Sequence, residues 1–241
     1  MGEPMQEVTV ILSPLRVFLS VLVLALTPFV LVNARNQTLS LNSASGLEVI
    51  NGKAEPVTYR GRQAIHLVPT PDHQGAEDAA IALVANSDFQ DGTIELDVAG
   101  SPRAGAPEDA RGFIGIAFRV QPRASRFENI YIRPTNGRAD DQLRRNHSVQ
   151  YDSAPDFPWY RLRKENPGVY ESYVDLESGA WTKMKIVVSG NTAKLYVNDA
   201  SQPCLIVKDL KLGTSRGQVA LWAHSSTDAY FAELHIEPEK P

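Results

Sequence analysis

Residues 181–198 read Trp-Thr-Lys-Met-Lys-Ile-Val-Val-Ser-Gly-Asn-Thr-Ala-Lys-Leu-Tyr-Val-Asn. Two alternating runs, Thr182–Ser189 and Ala193–Asn198, flank Ser189-Gly190-Asn191. Gly and Asn adopt the positive φ that tight hairpin turns need, so the segment predicts two antiparallel strands joined by a short turn. Working outward, Asp91-Gly92 ahead of Thr93 predicts a second turn of this kind.

Further strands are expected at Leu47–Ile50, Ala64–Val68, Ala80–Val84, Thr93–Ala99, Phe113–Val120, Asn129–Arg133, Ser148–Tyr151, Tyr170–Asp175, Leu205–Val207, Gln218–Trp222 and Tyr230–Ile236. No segment after residue 34 carries helical periodicity over ten residues. Many short strands punctuated by Gly, Pro, Asn and Asp predict an all-β fold, a sandwich of two antiparallel sheets. The Pro-, Ala- and Gly-rich segment between Gly100 and Gly112 reads as a mobile loop.

The chain has 241 residues, a formal net charge of −4 and 43% apolar residues, which fits one ordinary globular domain. Val17–Val32 is free of charge, follows Arg16 and leads to Val32-Asn33-Ala34. This predicts a secretory signal over residues 1–34, cleaved after Ala34, and a mature domain over 35–241. Thr27-Pro28 interrupts the apolar run, which is short for a bilayer span, so no stable membrane anchor is expected once the signal is cleaved. The expected location is secreted or periplasmic. Cys204, the one cysteine, lies in Cys204-Leu205-Ile206-Val207 and reads as a small buried hydrophobe. Slight acidity without a basic run argues against nucleic acid as partner.

Alternation shows which side chains leave the core. In Phe113–Val120, Ile114, Ile116, Phe118 and Val120 form one face, and Phe113, Gly115, Ala117 and Arg119 form the other. Ile130 and Ile132 alternate with Asn129, Tyr131 and Arg133; Val149 and Tyr151 with Ser148 and Gln150; Val219 and Leu221 with Gln218, Ala220, Trp222 and His224. The period of two allows no mixing of the sets without a register slip. Four strands thus predict a sheet with one wet, concave face.

The segment from Phe127 to Tyr173 is the densest in Arg, Asp, Asn, His, Gln, Tyr and Trp. A sugar presents apolar C–H faces to aromatic rings and hydroxyls to charged or amide groups. Tyr131, Trp159, Tyr160 and Trp222 are candidates for the first contact. Arg119, Arg133, Asn136, Arg138, Asp141, Arg144, Asn146 and Gln150 are candidates for the second. His147 is the side chain best suited to carry a proton near neutral pH, with Glu165 and Asp156 as alternative proton carriers. Abundant Arg leans slightly toward uronic or otherwise anionic sugars. Glu95 and Asp97 share one face of a strand, with Gly100 where a third carboxylate of a glucanase-like run would stand, and read as solvent-facing. Neither a metal site nor a cofactor is expected: Asp140-Asp141 lacks the oxygen-rich loop calcium needs, and no phosphate loop is present.

The order Gly115-Ile116-Ala117-Phe118-Arg119, Ser148-Val149-Gln150-Tyr151, Trp181–Asn198, Gly217-Gln218-Val219-Ala220-Leu221-Trp222 and Phe231-Ala232-Glu233-Leu234-His235-Ile236 resembles the 3-keto-disaccharide hydrolase-like domain. The resemblance runs from about Leu47 to Ile236. It implies a concanavalin A-like jelly-roll β-sandwich and a protein that acts on or binds carbohydrate. Ser148 stands where members of that family carry an acid. The expectation is an exported glycoside hydrolase or lyase acting on a keto- or otherwise modified sugar; the alternative is a lectin-like module that binds without turnover. A scaffold domain would need no such dense polar face.

Overall fold

A computed structural model of the chain describes residues 1–2, 36–70 and 78–239; the expected signal segment and its cleavage site lie outside the described residues. In chain order the strands are β1 Gln37–Leu39, β2 Leu47–Ile50, β3 Gly52–Tyr59, β4 Arg62–Pro69, β5 Ala79–Val84, β6 Gly92–Pro102, β7 Ile114–Val120 and β8 Phe127–Ile132. They continue with β9 Val149–Ala154, β10 Glu171–Ser172, β11 Thr182–Ser189, β12 Thr192–Val197, β13 Leu205–Val207, β14 Gln218–His224 and β15 Thr227–Pro238. Two short helices, α1 Gln142–Arg145 and α2 Trp159–Glu165, flank β9.

The strands form two antiparallel sheets. One runs β13-β12-β11-β6-β15-β4-β3, with β1 added on β15; the other runs β10-β9-β8-β7-β14-β5-β2. Ser189 pairs with Thr192 across a two-residue turn in which Gly190 has φ +56°, so the hairpin read from residues 181–198 forms as expected. Its partner β6 lies on the other side of β11, Ile186 facing Ile94. Alternate residues of β11, Thr182, Met184, Ile186 and Val188, are buried.

The core sits between the sheets. Ile116, Phe118, Ile130 and Leu221 from one meet Ile94, Leu96, Ile186 and Phe231 from the other, each burial contributing about 1.5–3 kcal/mol. The seven-stranded sheet carries a second, smaller cluster on its outer face, which includes Ile81, Ala117, Phe127, Tyr131, Ala220 and Trp222. Both faces of this sheet are therefore covered over part of their area.

The expected strands all appear, with ends moved by a few residues, and β1 and β3 are additions. β3 contains Gly52 and Pro56; an edge strand tolerates a proline because one row of its N–H groups has no ladder partner.

One expected face is corrected. Ala220 pairs with Ala117, but Gln218 pairs with Val120, so three steps along β7 oppose two along β14. Arg119 takes φ +52° at this bulge. The extra residue inverts the alternation: Val120 joins the outer cluster, and Arg119 turns to the interior, fully buried.

Candidate functional site

Strand register lays a straight row of side chains across the outer face. Trp222 on β14 pairs with Gly115 on β7, Gly115 with Tyr131 on β8, Tyr131 with Gln150 on β9, and Gln150 with Glu171 on β10. Directly opposed residues point to the same face of a sheet. Neighbouring strands stand about 4.8 Å apart, yet the Tyr131 and Trp222 rings meet at 4.9 Å between centroids, tilted 32°. Gly115 lies between them without a side chain. A Cβ there would come within 2.7 Å of the Tyr131 Cβ.

Phe113 closes this aromatic floor, edge-on to Tyr131 at 6.3 Å and tilted against His224 at 5.2 Å. The His224 Nδ1 accepts the Ser226 backbone N–H at 3.1 Å, which places the ring proton on Nε2; that N–H lies 3.9 Å from the Asp78 carboxylate. Together with Asp152, Asp109 and Trp159 these residues line a cavity of about 330 Å³. Asp152 reaches it because it stands two residues beyond Gln150 on β9 and so shares its face.

Arg133, just past the end of β8, is buried beside this floor. Its Nη2 donates to the Tyr131 hydroxyl at 3.2 Å and to Gln150 Oε1 at 3.1 Å. Its guanidinium carbon lies 5.3–5.7 Å from the ring centres of Trp159, Tyr131 and Phe113. Behind it the buried Glu171 carboxylate accepts from Arg163 Nε at 2.9 Å and Nη2 at 2.6 Å, stands 3.2 Å from His147 Nε2, and lies 3.9 Å from Arg133 Nη1. Glu171 thus gathers two guanidinium groups and the His147 imidazole around one carboxylate. Burial lowers the His147 pKa from its ordinary value; Glu171 opposes the shift, and Arg163 and Arg133 add to it. His147, Arg163 and Glu171 line a second, more open cavity of about 670 Å³, with Leu143, Asn146 and Tyr173.

The sequence-predicted residues divide by place. Tyr131, Trp159, Tyr160 and Trp222 line the first cavity; Arg133 and Gln150 are buried beside it, bonded to each other and outside its lining. His147 and Asn146 belong to the second cavity. Asn136 is buried, donates to the His147 carbonyl and accepts from Arg144 Nε, so Asn136 and Arg144 hold the loop together. Asp141 caps α1 by accepting the Arg144 N–H at 2.8 Å. Arg138 is exposed and paired with Asp175 and Glu177. Asp156 pairs with Arg126, and Glu165 with Arg161 one helical turn away, both half exposed and outside the lining of either cavity. Arg119 donates to the carbonyls of Gln90, Gly190 and Gly213 and to Asp91, clamping loops instead of facing the groove. Glu95 and Asp97 face solvent on the other sheet, paired with Lys185 and Arg62.

Asp152, Glu171 and the spacing role of Gly115 were absent from the sequence reading. Two signals could have found them: Asp152 is two residues from Gln150, and Glu171 lies in an expected strand whose faces had not been sorted. Cys204, expected to be buried, is half-buried against the core: its Sγ lies 3.5 Å from the Leu195 carbonyl, and desolvation pushes the thiol up to about 11.

No protein-family model matches the sequence, and no curated protein matches it either. Solved structures do match the fold. The carbohydrate-binding module CBM66 from Bacillus subtilis superposes with a TM-score of 0.52 at 16% identity, over 78% of this chain and 93% of that one. A protein of unknown function with a galectin-like fold from Bacillus subtilis gives 0.55 at 12% identity, over 83% and 93%. A putative glycosyl hydrolase from Parabacteroides distasonis gives 0.52 at 9% identity, over 84% and 100%. The fold is a concanavalin A-like jelly-roll sandwich, as expected from the sequence.

Proposed function

We propose that this chain is an exported carbohydrate-active protein that holds a sugar unit in the cavity over Tyr131 and Trp222. The observation that carries this reading is the floor itself: three aromatic rings, Phe113, Tyr131 and Trp222, packed side by side at one wall of a cavity also lined by Asp152, His224 and Asp109. Flat apolar rings ringed by fixed donors and acceptors suit a pyranose or furanose, which has apolar faces and a polar circumference. Support also comes from fold-mates described as a carbohydrate-binding module and a putative glycosyl hydrolase, an analogy of fold alone.

A second reading, glycoside hydrolysis or elimination of the 3-keto-disaccharide hydrolase-like kind, is favoured by Asp152. This carboxylate is buried in the cavity lining beside the aromatic floor, where a proton carrier must stand to touch the ligand. His147, Asp156 and Glu165 do not line that cavity, so in this reading the proton passes through Asp152.

Calorimetric titration of residues 35–241 with a panel of neutral, uronic and 3-keto mono- and oligosaccharides tests both, with product release followed in parallel. Saturable binding that weakens about tenfold in Trp159→Ala supports the first reading, since loss of one stacked ring costs about 0.5–1.5 kcal/mol. Turnover abolished by Asp152→Asn with binding retained supports the second. Failure of every saccharide to bind overturns both.

A further inference from the structure

The two cavities lie on one line. The row that begins at Trp222 and Tyr131 continues through Gln150 to Glu171, and Glu171 lines the second cavity. Tyr131 and Glu171 are two strands apart, roughly 10 Å of sheet. Above the sheet, α2 repeats the same step: Trp159 lines the first cavity and Arg163, one turn on, lines the second. One turn advances about 6 Å along the helix axis, the scale of a single sugar unit. The Trp159 ring packs against two guanidinium groups, Arg133 at 5.3 Å and Arg163 at 4.7 Å, and of the two only Arg163 lines the second cavity.

The second cavity also has the mixed chemistry of a sugar site. Tyr173 offers a ring that is 40% exposed, held by Arg145, whose Nη2 donates to its hydroxyl at 2.9 Å. Leu143 and Pro167 add apolar surface, and His147, Arg163 and Asn146 supply polar atoms at the same rim. Leu143 and Tyr173, both exposed, line this cavity together.

We infer that the His147–Arg163–Tyr173 cavity is a second sugar subsite, and that the ligand is an oligosaccharide lying along the row from Trp222 to Glu171 and crossing over the Trp159 ring. This rests on the proposal that the first cavity holds a sugar. The ligand class is then a chain of at least two linked sugars, not a free monosaccharide. Each unit adds contacts to one continuous surface, so affinity grows with chain length until both cavities are filled.

The experiment compares affinities of residues 35–241 for a monosaccharide and for its own di- and trisaccharide, using whichever sugar of the panel binds. The expected result is a gain of tenfold or more from one unit to two or three. Tyr173→Ala removes the exposed ring, and Asn146→Trp fills the cavity from an exposed position; in each, the trisaccharide-to-monosaccharide affinity ratio falls toward one. Trp159→Ala weakens all lengths. Equal affinity for every length in the unaltered chain overturns the second subsite while leaving the first cavity standing, and so does a length-dependent gain that persists in both variants. Absence of binding by any length overturns both.

Discussion

The rings of Tyr131 and Trp222 touch across a strand that belongs to neither: they lie 4.9 Å apart, with β7 running between β8 and β14 and Gly115 at the point of crossing. The aromatic floor exists because one side chain is missing. Gly115 needs no special φ here; its role is to leave the space in which two large rings converge.

Gly115→Ala therefore acts on site and stability together. The added methyl meets Tyr131 and the β8 backbone, and overpacking of this kind costs about 1–3 kcal/mol. The expected outcome is a lower urea midpoint, a shifted Trp222 fluorescence maximum and loss of sugar affinity. Unchanged fluorescence and affinity would show that the rings do not depend on that gap.

Arg119 predicts the opposite pattern. Arg119→Met keeps the volume but strips three carbonyls and Asp91 of a buried cation. Removing one partner of a buried charged network costs about 3–5 kcal/mol. Urea unfolding is expected to show a loss of that order, with sugar affinity of the folded fraction within twofold of the unaltered chain. An Arg119 that contacted the ligand would give the reverse.

Glu128 makes stability depend on pH. It faces the core from β8, accepts from the Tyr151 hydroxyl at 2.7 Å and the Leu212 N–H at 2.7 Å, and burial raises its pKa above the ordinary value. A carboxyl with a folded pKa above its unfolded one binds more protons when folded. Its contribution is thus complete below about pH 4.3 and is lost as pH rises through the folded value. Glu128→Gln cannot ionise, so its stability relative to the parent is expected to climb between about pH 4 and pH 7, as read by denaturant titration at each pH. A constant difference would refute the assignment.

His147 reports on the Glu171 cluster. Its folded pKa is depressed, so its stability contribution is present above the unfolded value of about 6.5 and is lost as pH falls toward the folded one. Two-dimensional NMR of the imidazole is expected to show titration below about 6.5, and lower still in Glu171→Gln, where the largest influence favouring the imidazolium is gone. An upward move on that substitution would mean that Glu171 does not face the ring.

Much of this was legible in the sequence, and the failures have physical causes. The hairpin at 181–198 and the alternation of β8, β9 and β14 sort core from outer face correctly, because a period of two leaves no latitude in a regular strand. That same rule misplaced Arg119 and Val120, because a bulge inserts one residue without a mark in composition. Residue type singled out Tyr131, Trp159 and Trp222, which the structure brings to one cavity. It overcounted the charged loop, where Asp141, Asn136 and Arg144 satisfy one another and Arg138, Asp156 and Glu165 pair at the surface. Density of polar residues cannot tell a loop that stabilises itself from one that meets a ligand. Glu171 shows the converse: alone in its short strand, it takes on meaning only through register with Gln150 and contact with Arg163 and His147.

The row of paired residues ends at β10, which is two residues long. An outer strand offers unpaired backbone groups to any passing chain, and length is what makes such an edge a template for polymerisation. The other outer strands are β2, four residues long, β1 and β13, three each, and β3, which carries Pro56 amid Lys53 and Glu55. Brevity at β10, β2, β1 and β13, and proline and charge at β3, deny a second copy the run of hydrogen bonds it would need to add a strand and start a fibril.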